Sequence, residues 1–357
     1  MHRLGAREGA GPAGSVDAVS RATTDARGGG GSLAANVVDA AIEALVVPSF
    51  TSIGYGLRRR LYGWRPLTEL SMHDRVVAIT GATSGLGEWT ATALARLGAR
   101  VLVLGRDAGK AARVAERIRE ETGNDGVVPY EVDVSDMDAV RRVAAEIRSA
   151  GPKLDVLIHN AGALLNERTT SVDGYEMTFA TMVLGPFLLT RELVPMLADG
   201  ADGRVITVTS GGMYTRSLHV DDLQMEHEPY RGTIAYAQAK RAQVVLTRIW
   251  ASRHRGTGVV FHAMHPGWAD TPGLEASLPG FRKLLGPVLR SAEQGADTIV
   301  WLAAAPEPST TSGRLWLDRR PRSFDKLPGT SVGADYAIAL WQTCERLTDL
   351  RSDGGVA

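Results

Sequence analysis

The sequence predicts an α/β fold, with one doubly wound domain on a mainly parallel sheet of seven strands. Three observations predict it. From Arg75 onward, short apolar runs alternate with amphipathic stretches of ten or more residues, the pattern of repeated strand–helix units. The short runs are apolar throughout rather than alternating, as when helices cover both faces of a parallel sheet. A glycine-rich turn joins the first run to the first helical stretch, the place where such folds gather free backbone amides.

The elements follow in order. The strands are RVVAIT (75–80), RVLVLG (100–105), a run inside GVVPYEVDV (126–134), LDVLIHNAG (154–162), GRVITVTS (203–210), GVVFHAMHPG (258–267) and GRLWLD (313–318). The helices between them are read over 86–98, 110–123, from Ser135 through Ile147, within 171–200, over 234–256 and over 295–306. Gly98 and Gly123 close the first two. Ser135 and Asp138 resemble a capping box for the third. No linker divides this region, so residues 72–320 read as a single Rossmann-type domain. Residues 321–357 form a C-terminal extension. Its candidate helix, from Ala334 to Leu350, carries Tyr336, Leu340, Cys344 and Leu347 as a packing stripe.

Residues 1–33 are rich in Gly, Ala and Arg and read as disordered. They lack the apolar core and cleavage pattern of a signal peptide. Residues 34–71 read as a helical extension whose apolar part is interrupted by Asp39, Glu43 and Pro48. It falls short of the roughly 20 apolar residues that cross a bilayer. Arg58, Arg59 and Arg60, flanked by Tyr55, Leu61, Tyr62 and Trp64, suit either an anionic membrane surface or a helix packed on the protein's own body. The second is the expectation, with peripheral membrane contact as the alternative.

Composition excludes other classes. Lys plus Arg and Asp plus Glu number 40 each, so no basic surplus points to nucleic acid. The single cysteine, Cys344, rules out an intrachain disulfide and a cysteine zinc cluster. It reads as a buried, inert thiol in a reducing, cytoplasmic setting. No metal site is expected.

The turn AITGATSGLGEW places Gly81, Gly85 and Gly87 between strand and helix. Without side chains there, backbone amides and the helix N-terminus can approach a pyrophosphate. Thr83 and Ser84 add hydroxyls, and Leu86 lies within the same turn. The spacing is G-x-x-x-G-x-G rather than G-x-G-x-x-G. The second strand ends in LGRD, where an NAD site would carry an acid for the ribose 2′-hydroxyl. Arg106 instead suits the 2′-phosphate of NADP. Asp107 is read as the cap of the next helix; shifted by one position it would favour NAD. Asp133 is positioned to accept from the adenine amine and Val134 to cover the ring. Asn160, Ala161 and Gly162 offer a second close backbone approach. His159 is read as a partly buried, satisfied histidine.

In IAYAQAK, Tyr236 and Lys240 stand four apart on one helical face. Alone, the pair is either surface decoration or a proton-transfer device. TGATSGLG, HNAG, YAQAK and HPGWADT, in this order, carry a resemblance to the short-chain dehydrogenase/reductase family over about 72–318, nearest its retinol-dehydrogenase-like branch. The resemblance implies Tyr236 as catalytic acid/base, Lys240 as its lysine and Ser210 as the catalytic serine. It implies cofactor contacts at Gly81, Gly85, Gly87, Arg106, Asp133, Asn160, Ala161 and Gly162, and at Pro266, Gly267 and Thr271 beside the nicotinamide. A phenol has an ordinary pKa of about 10, and a neighbouring ammonium should lower it. Ser210 can donate to a developing alkoxide. Tyr230 has no lysine four residues later and is read as a decoy.

One departure stands out. Where the family usually has an asparagine that bends its helix and holds a relay water, this chain has Met182. A thioether is a weak acceptor, so the relay is expected to be rerouted or slow. A second departure, Ala239 for the frequent serine, costs little. The candidate substrate loops offer Leu164, Leu165, Met213, Tyr214, Trp268, Leu274, Leu278, Phe281 and Leu285. They suit an apolar carbonyl or alcohol or, equally, core packing under a lid. The first expectation is an NADP(H)-dependent oxidoreductase; the alternative is a catalytically weak NADP-binding scaffold. The long helices after Asp173 and Thr233 resemble the family's dimer faces, which implies a homodimer or homotetramer unless the terminal extensions cover them.

Overall fold

All seven expected strands form, and an eighth joins them at the edge. The structure is a computed structural model and describes residues 32–349 except 152, 201, 228, 272–274 and 276–278. The disorder expected for residues 1–33 falls outside the described residues, save for Ser32 and Leu33. There the chain is already helical: Ser32 accepts from Ala35 N and caps α1 (Leu33–Ala44). Two shorter helices follow, α2 (Val46–Phe50) and α3 (Ser52–Leu61).

The sheet runs β3–β2–β1–β4–β5–β6–β7–β8. Its strands are β1 (Val76–Thr80), β2 (Arg100–Gly105), β3 (Val127–Glu131), β4 (Val156–His159), β5 (Gly203–Val208), β6 (Val259–Met264), β7 (Arg314–Leu317) and β8 (Arg320–Arg322). The first seven are parallel and β8 is antiparallel to β7. The seven-strand expectation is thus one short. RPR has no apolar run to announce a strand, and its proline is tolerated because β8 lies at the edge. Asp318 and Arg319 make the connecting turn with φ near +55° at both, the backbone of a two-residue hairpin loop.

The helices between the strands are α4 (Gly85–Arg96), α5 (Ala108–Thr122), α6 (Met137–Ala150), α7 (Met177–Ala198), α8 (Gly232–Arg253), α9 (Pro279–Leu285) and α10 (Ala292–Ala304); α11 (Ala334–Asp349) comes last. One sheet face packs side chains such as Val101 and Ile79 under α4, α5 and α10. The other packs Leu102 and Leu157 under α6, α7 and α8. Helix α7 has the length and mean hydropathy of a membrane span, but its Phe179, Phe187, Leu188 and Leu193 lie in this core.

Two local expectations are corrected, and the packing of the N-terminal extension on the protein's own body is borne out. Helix α6 is capped by Asp136, which accepts from Ala139 N, while Ser135 donates to Asp133. The carboxylate one residue closer to the first turn takes the cap. On α11 the buried positions are Ala337, Leu340, Trp341, Cys344 and Thr348. Tyr336 is exposed, because Trp341 sets the helix phase by packing on Phe187 and Trp250. Arg58 is fully buried and bound to Asp39, Glu43 and Asp318, so it belongs to the protein's own body. Cys344 is buried, and burial pushes its thiol well up, as an inert thiol requires.

Candidate active site

The reversal of strand order falls between β1 and β4, which flank each other while their connections run opposite ways. Open α/β sheets form their ligand crevice at that point. Here it is lined by the glycine turn and the segment after β4. Gly81 and Gly85 have φ of +65° and +56°, a region open chiefly to glycine. A Cβ on Gly81 would lie 2.8 Å from Ala161 Cα, and one on Gly87 would lie 2.3 Å from Gly81 O. These glycines therefore let the turn pack directly on itself and on the segment after β4. Ser84 stands exposed at the start of α4 without capping it, so its hydroxyl remains available to a phosphate.

Asn160 acts first on the protein itself. Its Nδ2 donates to Thr80 O and Gly81 O, each at 3.1 Å, while Asn160 N and Ala161 N donate to Thr80 Oγ1. These bonds clamp the two crevice walls together. Thr83 packs over the end of β2, where a Cβ on Gly105 would meet its methyl at 2.6 Å. Leu86 and Pro266 both flank Gly295, so the glycine turn meets the segment after β6. Gly267 has φ of +72°, and Pro266 O accepts from Arg290 Nη1. Thr271 starts the next turn, accepting from Glu275 N.

At the end of β2, Arg106 is exposed. Asp107 accepts from Lys110 N at 2.7 Å and caps α5. Asp133 is exposed and accepts from Ser135 N and Oγ. Val134 is buried in the core beneath α7, so its side chain is not displayed to cover a ring. These residues can hold a dinucleotide: amides and a hydroxyl for the pyrophosphate, a guanidinium for a 2′-phosphate.

The proposed chemical groups meet at the end of β5. Ser210 Oγ and Tyr236 Cε1 both flank Gly212, 3.7 and 4.0 Å from where its Cβ would be. Gly212 N donates to Ser210 Oγ at 3.3 Å. Thr209, the rival hydroxyl, donates to Lys240 O at 2.8 Å and is engaged elsewhere. Lys240 is buried, its Nζ donates to Val208 O at 2.8 Å, and it lies 5.5 Å from the Tyr236 ring centroid. Tyr230 bonds Glu176 and Thr178 and is structural, as expected of a decoy.

The electrostatics differ from expectation. Burial raises the Tyr236 pKa, opposed by the hydrogen bond from Ser210. Burial also lowers Lys240 to about 7. The ammonium is turned toward Val208 O rather than the phenol, so desolvation dominates both groups. His159 is buried, with Nε2 2.7 Å from Thr190 Oγ1 and its pKa lowered to about 3 by burial. It is neutral; its Nδ1 has no partner, so it is satisfied on one side only.

Met182 does not straighten its helix. Residues Ala180–Leu184 form a π-helical turn inside α7, the type of bulge that often marks functional sites. Gln243 Nε2 donates to Met182 O at 2.9 Å. The helix thus carries a π-turn at this position, with Gln243 on its backbone. Met182 Sδ and Lys240 Nζ both stand beside Gly162, at 3.3 and 3.5 Å from where its Cβ would be.

Among the substrate-loop residues, Met213 and Tyr214 are buried with Phe50, and Trp268 packs on them. Leu164, Leu165 and Leu285 are partly exposed. Leu274 and Leu278 lie outside the described residues, as does the side chain of Phe281. Sequence reasoning missed Phe50. A Cβ on Gly211 would lie 2.5 Å from its ring, and the ring meets Trp268 edge-on at 5.7 Å. Nothing in the local sequence marks a phenylalanine 160 residues before Ser210 as a wall of this site.

The fold and this crevice define a class, and comparison agrees. The short chain dehydrogenase family profile matches residues 75–279, and the chain belongs to that family. It is an NAD(P)-dependent oxidoreductase of the short-chain dehydrogenase/reductase type. It is 44% identical over 259 residues to the human protein "Dehydrogenase/reductase SDR family member 12", covering 71% of this chain and 80% of that protein. Mouse retinol dehydrogenase 14 is 34% identical over 290 residues, with 77% and 86% covered. A solved structure from Beutenbergia cavernae, described as an NAD(P) dependent gluconate 5-dehydrogenase with bound NADP, is 26% identical. It aligns with a TM-score of 0.58 over 70% of this chain and 96% of that one.

Proposed function

We propose that the chain reduces the carbonyl of an apolar small molecule with NADPH, or runs the reverse oxidation of the alcohol. One observation carries this reading: Ser210 Oγ and the Tyr236 ring converge at Gly212, 3.7 and 4.0 Å from where its Cβ would be, with the buried Lys240 Nζ 5.5 Å from the Tyr236 ring centroid. Gly81, Thr83, Ser84, Gly85, Leu86 and Gly87 would hold the pyrophosphate. Arg106 would meet the 2′-phosphate, with Asp133 near the adenine. Asn160, Ala161, Gly162, Pro266, Gly267 and Thr271 would line the path to the nicotinamide. The cofactor supplies the hydride when bound.

The residues do the rest. Ser210 Oγ donates a hydrogen bond to the substrate oxygen as charge develops. Tyr236 Oη gives that oxygen a proton. A phenol whose pKa is raised stays loaded at neutral pH, which suits reduction. Lys240, with Nζ held by Val208 O and 5.5 Å from the Tyr236 ring centroid, stands partly charged near the phenol at neutral pH. Bound NADP in the gluconate 5-dehydrogenase relative and the retinol named for another support the cofactor and the apolar substrate. Among the nearer relatives, the reading places this chain with dehydrogenase/reductase member 12. It also places it in the cytoplasm.

A homodimer through α7 and α8 would have to displace α11. Trp341 packs on Phe187 of α7 and Trp250 of α8, and Tyr175 Oη donates to Leu347 O. Met182 beside Lys240 favours one second reading, a nucleotide-binding scaffold with weak turnover. A screen of apolar ketones with NADPH separates the two. Ketone-dependent NADPH oxidation that Tyr236→Phe abolishes supports the enzyme. Tight NADPH binding with no turnover of any ketone supports the scaffold and overturns the proposal.

A further inference from the structure

Helix α1 is inside out. Its polar residues face the protein: Asp39 is 3% exposed and bound by Arg58 and Arg322, and Glu43 is bound by Arg58 and Lys326. Its apolar residues face solvent: Leu33 is 82% and Val37 61% exposed. Amphipathic helices of soluble proteins place these faces the other way round. Exposed aliphatic residues continue directly along the chain at Leu45, Val46 and Val47 and at Ile53 and Leu57 of α3. Eight of the twelve large hydrophobics exposed among the described residues lie between Leu33 and Leu57, on these three helices or the Leu45 link between two of them, so the exposure is concentrated rather than scattered.

The charges on this face have one sign. Both acids of the three helices are turned inward and paired, and Arg58 is buried with them. Arg59 and Arg60 are exposed. Arg60 follows Ile53 and Leu57 at i+7 and i+3, on the same side of α3. The apolar residues are Leu, Val and Ile, with none of the exposed aromatic anchors that dominate protein–protein interfaces. The chain's own first 31 residues contain only Met1, Leu4, Val16 and Val19 as large hydrophobics, too few to cover such a face.

We propose that the outer face of α1–α3 is a docking surface for a lipid bilayer carrying anionic headgroups. The aliphatic side chains enter the acyl boundary while Arg60, on their side of α3, meets the headgroup charge and Arg59 adds to the local positive field. The inward-facing ion pairs make the extension one body with the domain: Asp318, in the β7–β8 turn, holds both Arg58 and Arg290. A bilayer bound there holds the whole catalytic domain, whatever reaction that domain performs.

Sedimentation of the full chain with phosphatidylcholine vesicles, with and without phosphatidylglycerol, tests this. The chain is expected to partition onto the anionic vesicles. Val37→Glu combined with Leu45→Glu should lower that partition about tenfold or more. Arg59→Gln combined with Arg60→Gln should lower it about tenfold on anionic vesicles and little on neutral ones. All four side chains are exposed, so an unchanged thermal transition verifies folding, and the arginine pair serves if the apolar pair fails to fold. Absence of vesicle binding overturns the proposal, as does binding indifferent to both pairs of substitutions. So does a dimer in solution that Val37→Glu with Leu45→Glu dissociates, with no vesicle binding, which would assign the face to a second copy of the chain.

Discussion

Burial lowers Lys240 from its ordinary 10.5 to about 7, and this predicts a pH-dependent stability that one substitution removes. Between pH 7 and about 10 the unfolded chain keeps the lysine proton that the folded chain has shed. The unfolded state binds more protons, so stability must rise with pH across this window. At pH 7 the folded lysine is half protonated; at pH 9 it is nearly all neutral. Relative to a free lysine, that change contributes about 2 kcal/mol. Lys240→Met removes the titration while filling similar volume. The assay is urea unfolding of both proteins at pH 7 and pH 9. Wild type should gain about 2 kcal/mol more than the variant on going to the higher pH. Other titrating groups, including Cys344, contribute to both proteins and cancel in the difference. An equal change in the two proteins would refute the reasoning and show that Lys240 stays charged inside the fold.

Three further outcomes follow from particular contacts. Phe50→Ala should cost about 3–5 kcal/mol in urea unfolding and lower turnover beyond any loss of cofactor affinity, because the ring backs Gly211 and Trp268. Gly87→Ala should cost about 1–3 kcal/mol and weaken NADPH binding in a fluorescence titration, since its Cβ would stand 2.3 Å from Gly81 O; unchanged affinity would contradict this reading of the turn. Arg106→Glu should weaken NADPH binding about tenfold to a hundredfold and leave NADH binding nearly unchanged, measured by the same titration.

The parallel strands were legible because each is buried on both faces and so reads as an unbroken apolar run. Strand β8 was not, because an edge strand needs no apolar run and RPR has none. The phosphate turn and the Tyr236–Lys240 spacing were legible because glycine conformation and helix periodicity are local properties. What required the fold was long-range. Arg58 reads like its exposed neighbours Arg59 and Arg60, yet it alone meets Asp39, Glu43 and Asp318. Met182 read as a change in the proton relay, while nothing local announced the π-turn around it or Gln243 on its carbonyl. The Tyr236 and Lys240 shifts depend on how deeply both are desolvated, which spacing does not reveal. Val134 carried a cofactor role by position, but its side chain turns into the core.

Hydride transfer with Tyr236 as proton donor is the central claim. The direct measurement is mass spectrometry of the product formed from an apolar ketone and NADPH deuterated at nicotinamide C4. The account predicts one deuterium on the new carbinol carbon, formed by wild type and absent with Tyr236→Phe although NADPH still binds. Product without carbon-bound deuterium from either face of the labelled ring, or equal product from Tyr236→Phe, would contradict it.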